Sequence, residues 1–357
     1  MRDAITEQPT VLRAVLEAGP EVMQRVIHSV GPEAQRLYLI GSGTSYNAAV
    51  AVMGLIRAWT DLDVTVVAPH EFLHYEPQTR LGKGTLAVGI SQSGRSTGTL
   101  DSLKHARDLG AVTIAVTAEA DSPITAVAGV TIPTSTGPEP VGPKTKGYTS
   151  TVATLLWLVA GLAEAKGYAS GHPADEVRSA LKAAPGVMEE TLTRCASVMA
   201  DIIATFAAVP SLSVVSYGPN LATALEGGLK ILETVRVPVG IFEAEEYMHG
   251  PYHCLEPETH AVFIVPSGPG QARAMDLIRF VQTLTTRTLV LTDEANEGAR
   301  SLSGHVIMLP GGLAEGYTPL SYIVPLQLLA NDLTIARGRR PETSRHPQFH
   351  ATLGSKL

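Results

Sequence analysis

The sequence is poor in cysteine and has no concentrated charge of one sign. Only Cys195 and Cys254 occur among 357 residues, which excludes a disulfide framework and the paired cysteines of a zinc site. The formal net charge is −7 and no run of five like charges is present, which argues against nucleic acid or an anionic membrane as a partner. We therefore expect a reduced, cytoplasmic location.

Long apolar runs are also missing. The first 20 residues contain Asp3 and Glu7 and no continuous apolar core, so we expect no secretory leader. The longest apolar stretch, TVATLLWLVAGLAEA from Thr151, is shorter than the roughly 20 residues that a membrane span requires. It predicts a buried helix. The 11 histidines are scattered, and we expect neither a metal centre nor a cofactor.

Short β-branched runs alternate with helical periods in both halves of the chain, which predicts an α/β fold of two similar, doubly wound parallel sheets. Between Tyr148 and Ala208 helical periodicity replaces this alternation, with a new helix beginning at Ser170 or at His172–Pro173. The predicted organisation has an N-terminal helical segment, a first domain, a helical connector, a second domain and a tail that closes over the site (1–30, 31–168, 169–208, 209–338 and 339–357).

The predicted strands and helices are short and regularly spaced. Strands are expected near residues 36–40, 64–68, 85–90, 112–117 and 130–133 in the first domain, and near 212–216, 261–266, 288–292 and 306–309 in the second. Helices are expected near residues 45–59, 96–109, 122–127, 221–235 and 317–337.

Two turns rich in small hydroxyl residues follow predicted strands, in LYLIGSGTSYNAAVA (37–51) and LAVGISQSGRSTGTL (86–100). Ligands of open parallel sheets bind beyond the carboxyl ends of the strands, where helix N-termini present free N–H groups. Neither turn matches G-x-x-x-x-G-K-[ST] or G-x-G-x-x-G, which disfavours a nucleotide. Neutral donors without a neighbouring lysine suit a phosphate monoester.

The alternative is that these residues are ordinary N-caps and turn residues. The recurrence of the pattern in two neighbouring βαβ units favours the phosphate interpretation. Its candidate binding residues are Gly43, Thr44, Ser45, Ser91, Gln92, Ser93 and Ser96.

A second candidate cluster stands in ALEGGLKILET (224–234). Glu226, Lys230 and Glu233 are spaced by four and three residues, so one helical face presents all three. A solvated Glu–Lys pair is the plain interpretation. Against it, Gly227 and Gly228 each cost helix stability of about 1 kcal/mol relative to alanine, which indicates that something packs closely here.

These motifs resemble the sugar isomerase (SIS) domain family, which includes the isomerase half of glucosamine-6-phosphate synthase and stand-alone glucosamine-6-phosphate deaminases. The resemblance extends over nearly the whole chain, through EQP (7–9), ALEGGLKILE (224–233) and PLQLLANDLTIARG (325–338). It implies two tandem SIS domains, a phosphorylated sugar as substrate and a homodimer. It also supports the phosphate-binding role of the two turns.

The resemblance further implies an acid-base apparatus for aldose–ketose isomerisation. Glu233 would transfer the proton between C1 and C2, Lys230 would serve the oxygen that gains or loses a proton, and Glu226 would position the substrate. His249, in EAEEYMHGPYHCL (243–255), matches a histidine that opens the sugar ring in the site of the neighbouring subunit. His253 is a weaker alternative, and a turn residue without a role is the plain interpretation of either.

The sequence departs from the family pattern at three places. PEPVGPKTKGYTS (138–150) has Pro143 and Lys144 where the family has small residues, and Phe349 replaces a catalytic tail lysine, with His350 and Lys356 as the candidates to take its place. The synthase's glutaminase domain, with its nucleophilic cysteine, is not present in these residues. We therefore expect deamination of glucosamine 6-phosphate to fructose 6-phosphate through an enediol(amine). The alternatives are a fructosamine-6-phosphate deglycase and a non-catalytic sugar-phosphate-binding regulator.

Overall fold

The computed structural model describes residues 1–168 and 172–357. They form two compact units, each built around one sheet. The sheet-1 unit comprises Thr10–Pro140, Lys146–Lys182 and Ser344–Leu357, and the sheet-2 unit comprises Met1–Pro9, Val141–Thr145 and Ala183–Thr343. The limits of the predicted domains and connector stay a prediction.

The sheet-1 unit contains a five-stranded parallel sheet whose strands pair in the order β2-β1-β3-β4-β5. Two of its three internal strands, β3 and β4, are buried over most of their length, as expected where helices cover both faces of a parallel sheet. The strands are β1 (Arg36–Ile40), β2 (Asp63–Val67), β3 (Thr85–Ile90), β4 (Val112–Thr117) and β5 (Val130–Pro133).

The sheet-2 unit repeats this topology, with parallel strands paired in the order β7-β6-β8-β9-β10. In both sheets the first strand lies between the second and the third, which is the flavodoxin-like order of doubly wound folds. The prediction of two similar α/β sheets is confirmed. The strands are β6 (Leu212–Ser216), β7 (Val239–Glu243), β8 (His260–Val265), β9 (Thr288–Asp293) and β10 (His305–Leu309).

One strand, β7, was not predicted. It lies at the edge of its sheet, and its five residues are only partly buried. Pro238 directly precedes it, and Gly240 interrupts its β-branched pattern. Edge strands tolerate such residues because one side of the strand needs no hydrogen-bonding partner. The edge strands β2, β5 and β10 were predicted, so it is the composition of β7 that weakens its strand pattern.

Helices occupy the connections between strands and the segments outside the sheets. The predicted helix start at His172–Pro173 agrees with a helix that begins at Pro173, while Ser170 lies outside the described residues. The helices are α1 (Arg2–Thr6), α2 (Gln8–Ser29), α3 (Thr44–Trp59), α4 (Pro69–His74), α5 (Thr97–Asp108), α6 (Lys146–Ala165), α7 (Pro173–Phe206), α8 (Leu221–Thr234), α9 (Ala244–Tyr247), α10 (Gln271–Val281), α11 (Pro319–Ala336) and α12 (Phe349–Thr352).

Short 3₁₀ turns add to these helices, at Gln78–Arg80, Pro123–Ala126, Gly218–Asn220, Pro251–Cys254, Glu297–Ser301 and Glu315–Tyr317. The segment predicted as a helix at 122–127 is one of these turns. This turn has four residues, of which Pro123 is the first, and four residues are too few for a stable α-helix.

The long apolar helix α6 lies in the core of the sheet-1 unit. Among the described residues, one helix, α6, is long and apolar enough to cross a membrane. Of its most apolar stretch of 18 residues, 89% is buried inside the structure. Trp157 and Tyr148 on this helix are completely buried. Its apolar character is thus used in packing, as the sequence predicts.

Candidate functional site

The first hydroxyl turn connects β1 to α3. Gly43 is the N-cap of α3 and has a φ of 55°, a left-handed conformation that favours glycine. At Gly41 a Cβ atom would lie 2.9 Å from the Cβ of Ser45, so only glycine fits under this serine. Ser45 is buried, Thr44 is partly buried and Gly43 is exposed. The turn therefore leads from open surface to a buried hydroxyl.

The second hydroxyl turn connects β3 to α5. Gly94 has a φ of 60°, and its amide donates to the carbonyl of Ser91 at 3.0 Å, which closes the turn. Ser96 is the N-cap of α5, and its hydroxyl accepts a hydrogen bond from Thr99 at 3.1 Å. Ser91 is buried, whereas Ser93 and Ser96 are partly exposed. Hydroxyls of this turn thus lie both inside and at the surface.

The Gln92 side chain extends from this turn onto the first turn of α6. Its amide nitrogen donates to the Thr151 hydroxyl at 3.4 Å, and a Cβ on Gly147 would lie only 2.0 Å from the same nitrogen. Glu139 accepts a hydrogen bond from the Gly147 amide at 3.0 Å. Gly147 therefore leaves the space that the Gln92 amide occupies.

Both turns lie at the point where the strand order of sheet 1 reverses. β1 and β3 are hydrogen-bonded neighbours, with Ile40 opposite Gly89, so their carboxyl ends lie side by side. Ligands of doubly wound folds bind at this switch point. The amides at the starts of α3 and α5 and the serine hydroxyls are donors of the kind that bind a phosphate group.

The C-terminal tail contacts the second turn. Lys356 forms an isolated antiparallel bridge with Ser96, the amide of Leu357 donates to the carbonyl of Arg95 at 3.0 Å, and the Thr97 hydroxyl donates to Gly354. The other tail candidate, His350, pairs its ring Nδ1 with the Ser355 hydroxyl at 2.8 Å. Of the two candidates, the structure thus places Lys356 directly beside a predicted phosphate residue.

The charged cluster of the sheet-2 unit lies on α8. Lys230 Nζ lies 2.6 Å from an oxygen of Glu233 and 3.2 Å from an oxygen of Glu226. The side chains of Lys230 and Glu226 are completely buried, whereas that of Glu233 is 34% exposed. One lysine thus holds a buried carboxylate and an accessible one. We call these three residues the α8 triad.

The glycines beside the triad have a packing role. A Cβ on Gly227 would lie 2.3 Å from Leu326 on α11, and one on Gly228 would lie 2.7 Å from Ile241 on β7. The close approach that the sequence indicates is therefore that of neighbouring core side chains. These contacts pack α8 closely into the sheet-2 unit, where the side chains of Glu226 and Lys230 are completely buried.

The charge of Lys230 is maintained against its burial. Removal from water lowers the pKa of this amine, but the carboxylates of Glu226 and Glu233 outweigh that effect and raise the pKa above the ordinary lysine value. The lysine is therefore a cation at neutral pH. Its position 2.6 Å from Glu233 gives that carboxylate a fixed, charge-assisted hydrogen bond.

His249 lies in the loop after α9 and is 66% exposed. Its Nε2 lies 4.0 Å from Glu245, whose carboxylate also forms a two-pronged pair with Arg273. Among the described residues its ion pair is with Glu245 and not with the α8 triad. His253, the weaker alternative, stacks on Tyr252 with ring centroids 4.1 Å apart.

The expectation that the histidines are scattered, with none spaced as H-x-x-x-H beside an acid, is wrong at α4. His70-Glu71-Phe72-Leu73-His74 has the H-E-x-x-H spacing of zinc helices, and the two imidazole rings lie 4.5 Å apart between centroids. Within residues 1–168 and 172–357, no group of three or more potential ligands could hold a metal ion. Two histidines are fewer ligands than zinc sites supply. That no metal is needed stays a prediction.

Both sheets of the chain match a known domain family. The SIS domain model matches residues 33–161 and 206–337, so one copy covers each sheet. The chain belongs to the SIS domain family. The tandem arrangement inferred from the sequence motifs is thereby confirmed.

Relatives of this SIS chain are phosphosugar enzymes by name. It is 30% identical over 313 residues to the glutamine–fructose-6-phosphate aminotransferase (isomerizing) of Mycobacterium leprae, covering 86% of this chain and 49% of that protein. The chain thus spans about half the length of this curated relative.

Two solved structures share the fold over its full extent. A candidate phosphosugar isomerase of Clostridium difficile 630 has a TM-score of 0.88 and 24% identity, covering 100% of this chain and 98% of that one. The glucosamine-6-phosphate deaminase of Thermotoga maritima has a TM-score of 0.76 and 18% identity, covering 96% and 97%.

The structure groups the predicted SIS residues into three places. The residues of the two turns lie together at the switch point of sheet 1, the α8 triad forms one connected ion cluster, and His249 lies in a surface loop. The roles of all of these residues stay predictions.

Proposed function

We propose that this SIS protein is an amino-sugar-phosphate isomerase and deaminase that converts glucosamine 6-phosphate and water into fructose 6-phosphate and ammonia. The observation that supports it most is the α8 triad, where a solvent-accessible carboxylate is fixed by a buried cation. That arrangement suits a base that must be ionised, oriented and reachable. The name of the Thermotoga maritima structure agrees with this choice of reaction.

In the proposed mechanism the phosphate group is bound by Ser45, Ser91, Ser93 and Ser96 together with the amides of their turns. Gln92, held against Gly147, supplies a further donor, and Gly43 and Thr44 complete the first turn. Neutral donors and helix N-termini bind phosphate groups in proteins, and Lys356 lies beside Ser96 at this turn. This part of the proposal supplies binding and orientation.

Proton transfer is assigned to Glu233. Its carboxylate would remove the proton from C2 of the open-chain aminoaldose to form an enediol(amine), and would then return the proton to C1 to give the ketimine at C2. Hydrolysis of the resulting ketimine at C2 releases ammonia and leaves fructose 6-phosphate. A single base serves both carbons because they are adjacent in the substrate.

The burial of Lys230 changes the role that the family resemblance implies for it. Because the Lys230 side chain is completely buried between two carboxylates, we assign it the role of orienting the Glu233 carboxylate and stabilising its negative charge. It would not transfer a proton directly to a sugar oxygen. Glu226 completes the ion cluster and limits the rotation of the lysine. Both are positioning residues in this proposal.

Ring opening is assigned to His249, whose imidazole is exposed and is a side chain that can both accept and donate a proton. We propose that it acts in a homodimer, in the site of the neighbouring subunit. A cytoplasmic location, inferred from the two cysteines alone, belongs to the same proposal. Both cysteines are free, Cys195 buried and Cys254 exposed.

The test is proton NMR of the purified protein with glucosamine 6-phosphate in deuterated water. We expect ammonium release, appearance of fructose 6-phosphate and loss of the C2 proton signal. The Glu233→Gln variant should bind the sugar phosphate with similar affinity but lose at least about 10²-fold in turnover, because general base catalysis contributes on that scale.

Other outcomes separate the alternatives. Full turnover by Glu233→Gln would remove this residue from the mechanism. Exchange at C2 without ammonium would redirect the assignment to a substrate with another substituent, such as a fructosamine 6-phosphate. Binding by the wild-type protein without any exchange would indicate a sugar-phosphate sensor.

A further inference from the structure

The duplicated topology allows the two switch points to be compared residue by residue. Arg36 pairs with Thr85 at the start of β1 and β3, and Leu212 pairs with His260 at the start of β6 and β8. The strands compared have equal lengths, five residues for β1 and β6 and six for β3 and β8. Positions counted from the strand ends are therefore equivalent in the two units.

The second switch point lacks three of the groups that are proposed to bind phosphate at the first. The position of Ser45, five residues after β1, is Leu221 after β6. The positions of Ser91 and Ser93 after β3 become Pro266 and Gly268 after β8. Pro266 also lacks the backbone N–H that Ser91 has. Each of these three changes removes a group that binds anions in the first unit's proposed site.

A carboxylate has appeared at the same place. β4 and β9 are equivalent six-residue strands, and the last residue of each is Thr117 in the first and Asp293 in the second. Asp293 accepts hydrogen bonds from the Ser267 amide at 2.6 Å, the Ser267 hydroxyl at 2.8 Å and the Ala295 amide at 3.1 Å. In the first unit the Thr117 hydroxyl instead donates to the Gln92 carbonyl at 3.2 Å.

The donors that surround Asp293 are of the kind that bind anions. Two backbone amides and a hydroxyl converge on one carboxylate, and the Tyr322 hydroxyl lies 3.4 Å from it. A cavity of about 220 Å³ lies beside this group, lined in part by Gly311 and Gly312. There is thus room for a small anion next to donors that are already engaged.

A second carboxylate faces the same turn. A Cβ on Gly268 would lie 2.6 Å from the carboxyl carbon of Glu315, and one on Gly218 would lie 3.4 Å from its oxygen. Burial raises the pKa of Glu315 above its ordinary value. An anion that entered this turn would meet two acidic side chains where the first unit presents serines, and like charges repel most strongly where water is scarce.

We propose that Asp293 is a built-in anion that occupies the second switch point, so that each chain binds one phosphate group, at the hydroxyl turns of the sheet-1 unit. The assignment of that one site rests on the proposed function. The occupation of the second point rests on the contacts of Asp293 alone. Removing the carboxylate should therefore release the amides of Ser267 and Ala295 and the Ser267 hydroxyl, which are donors of the kind that bind a phosphate group.

The experiment is a ³¹P NMR titration with inorganic phosphate of the full-length wild type, the S45A/S93A double variant, D293N, and D293N combined with S45A/S93A. We expect one bound phosphate in the wild type, none in S45A/S93A, two in D293N and one in the combined variant. D293A, which also removes the acceptor oxygen, is the second form of the change. Circular dichroism establishes that each variant is folded.

The outcomes distinguish the two proposals. Phosphate bound by S45A/S93A at the second switch point, or folded D293N and D293A proteins that gain no phosphate, would overturn the role of Asp293. A wild type that binds none, with D293N binding one, would sustain the built-in anion and refute the proposed function. Retained turnover in D293N is expected, because Asp293 has no part in the proposed chemistry.

Discussion

Replacement of Lys230 by methionine is the sharpest perturbation that the structure offers. Methionine has a similar length and is apolar, so Lys230→Met fills the same space but removes the cation that faces two carboxylates. Glu226 would then be a completely buried carboxyl group without that cation, whereas Glu233 is 34% exposed and can be hydrated. The cost should therefore arise mainly from Glu226.

The expected magnitude follows from opposing contributions. At an effective dielectric constant of about 20, charges about 3 Å apart attract by roughly 5 kcal/mol, and burying each ion costs several kcal/mol. Breaking a buried pair by removing one partner therefore costs about 3–5 kcal/mol. For a unit of roughly 150–250 residues this lowers the unfolding temperature by about 6–20 °C. Thermal unfolding followed by circular dichroism measures it.

The pH dependence has a definite sign. The pKa of Lys230 is raised in the folded protein, so its contribution to stability is present in full below the ordinary lysine pKa and is lost as the pH rises through the folded value. Lys230→Met should not show this alkaline loss. In the variant the buried Glu226 carboxyl has a raised pKa, so the destabilisation should be smaller at pH 5 than at pH 8.

Matched double variants identify the source of the cost. In the Lys230→Met background, Glu226→Gln should recover most of the lost stability, since it removes the buried charge that was left behind. Glu233→Gln in that background should recover little, because solvent already screens this carboxylate. Equal recovery by the two changes, or a loss below about 1 kcal/mol in Lys230→Met alone, would refute the reasoning.

Three further outcomes test the site. Ser45→Ala and Ser93→Ala should each raise KM for glucosamine 6-phosphate by about 10–100-fold with a much smaller change in kcat, because hydrogen bonds to charged groups contribute about 1.5–3 kcal/mol. Gly147→Ala should lower kcat/KM by about 10-fold or more, since its Cβ would displace the Gln92 amide, whereas Gly142→Ala, with open space around it, should not. Chelator treatment should leave turnover unchanged; restoration of lost activity by zinc would instead implicate the histidine pair on α4.

The fold could be predicted from the sequence where local pattern and long-range packing agree. The buried strands β3 and β4 coincide with their predictions because β-branched residues fill both faces of a parallel strand. The edge strand β7 was missed because one free edge relaxes that demand and admits Gly240. The other edge strands, β2, β5 and β10, contain no glycine and were predicted, so β7 was missed because of its composition and not because of its edge position alone.

The candidate site shows a similar division. Helical spacing brings Glu226, Lys230 and Glu233 to one face, and the structure joins them at 2.6 and 3.2 Å. Spacing could not indicate that the lysine is completely buried, because that depends on Leu326 and Ile241, which pack against the neighbouring glycines from distant parts of the chain. Which member of the triad is accessible is therefore a tertiary property.

The exposure of Glu233 and the burial of Lys230 determine how the proposed chemistry uses the charges of the triad. In the proposed chemistry the phosphate is bound by amides and hydroxyls, and the buried Lys230 cation acts on the carboxylates of Glu226 and Glu233. With two carboxylates and one ammonium, the triad has a formal charge of −1 when all three groups are ionised. Its accessible member is Glu233, whose side chain is 34% exposed. A substrate proton would then move to the one group of the triad that is both accessible and anionic.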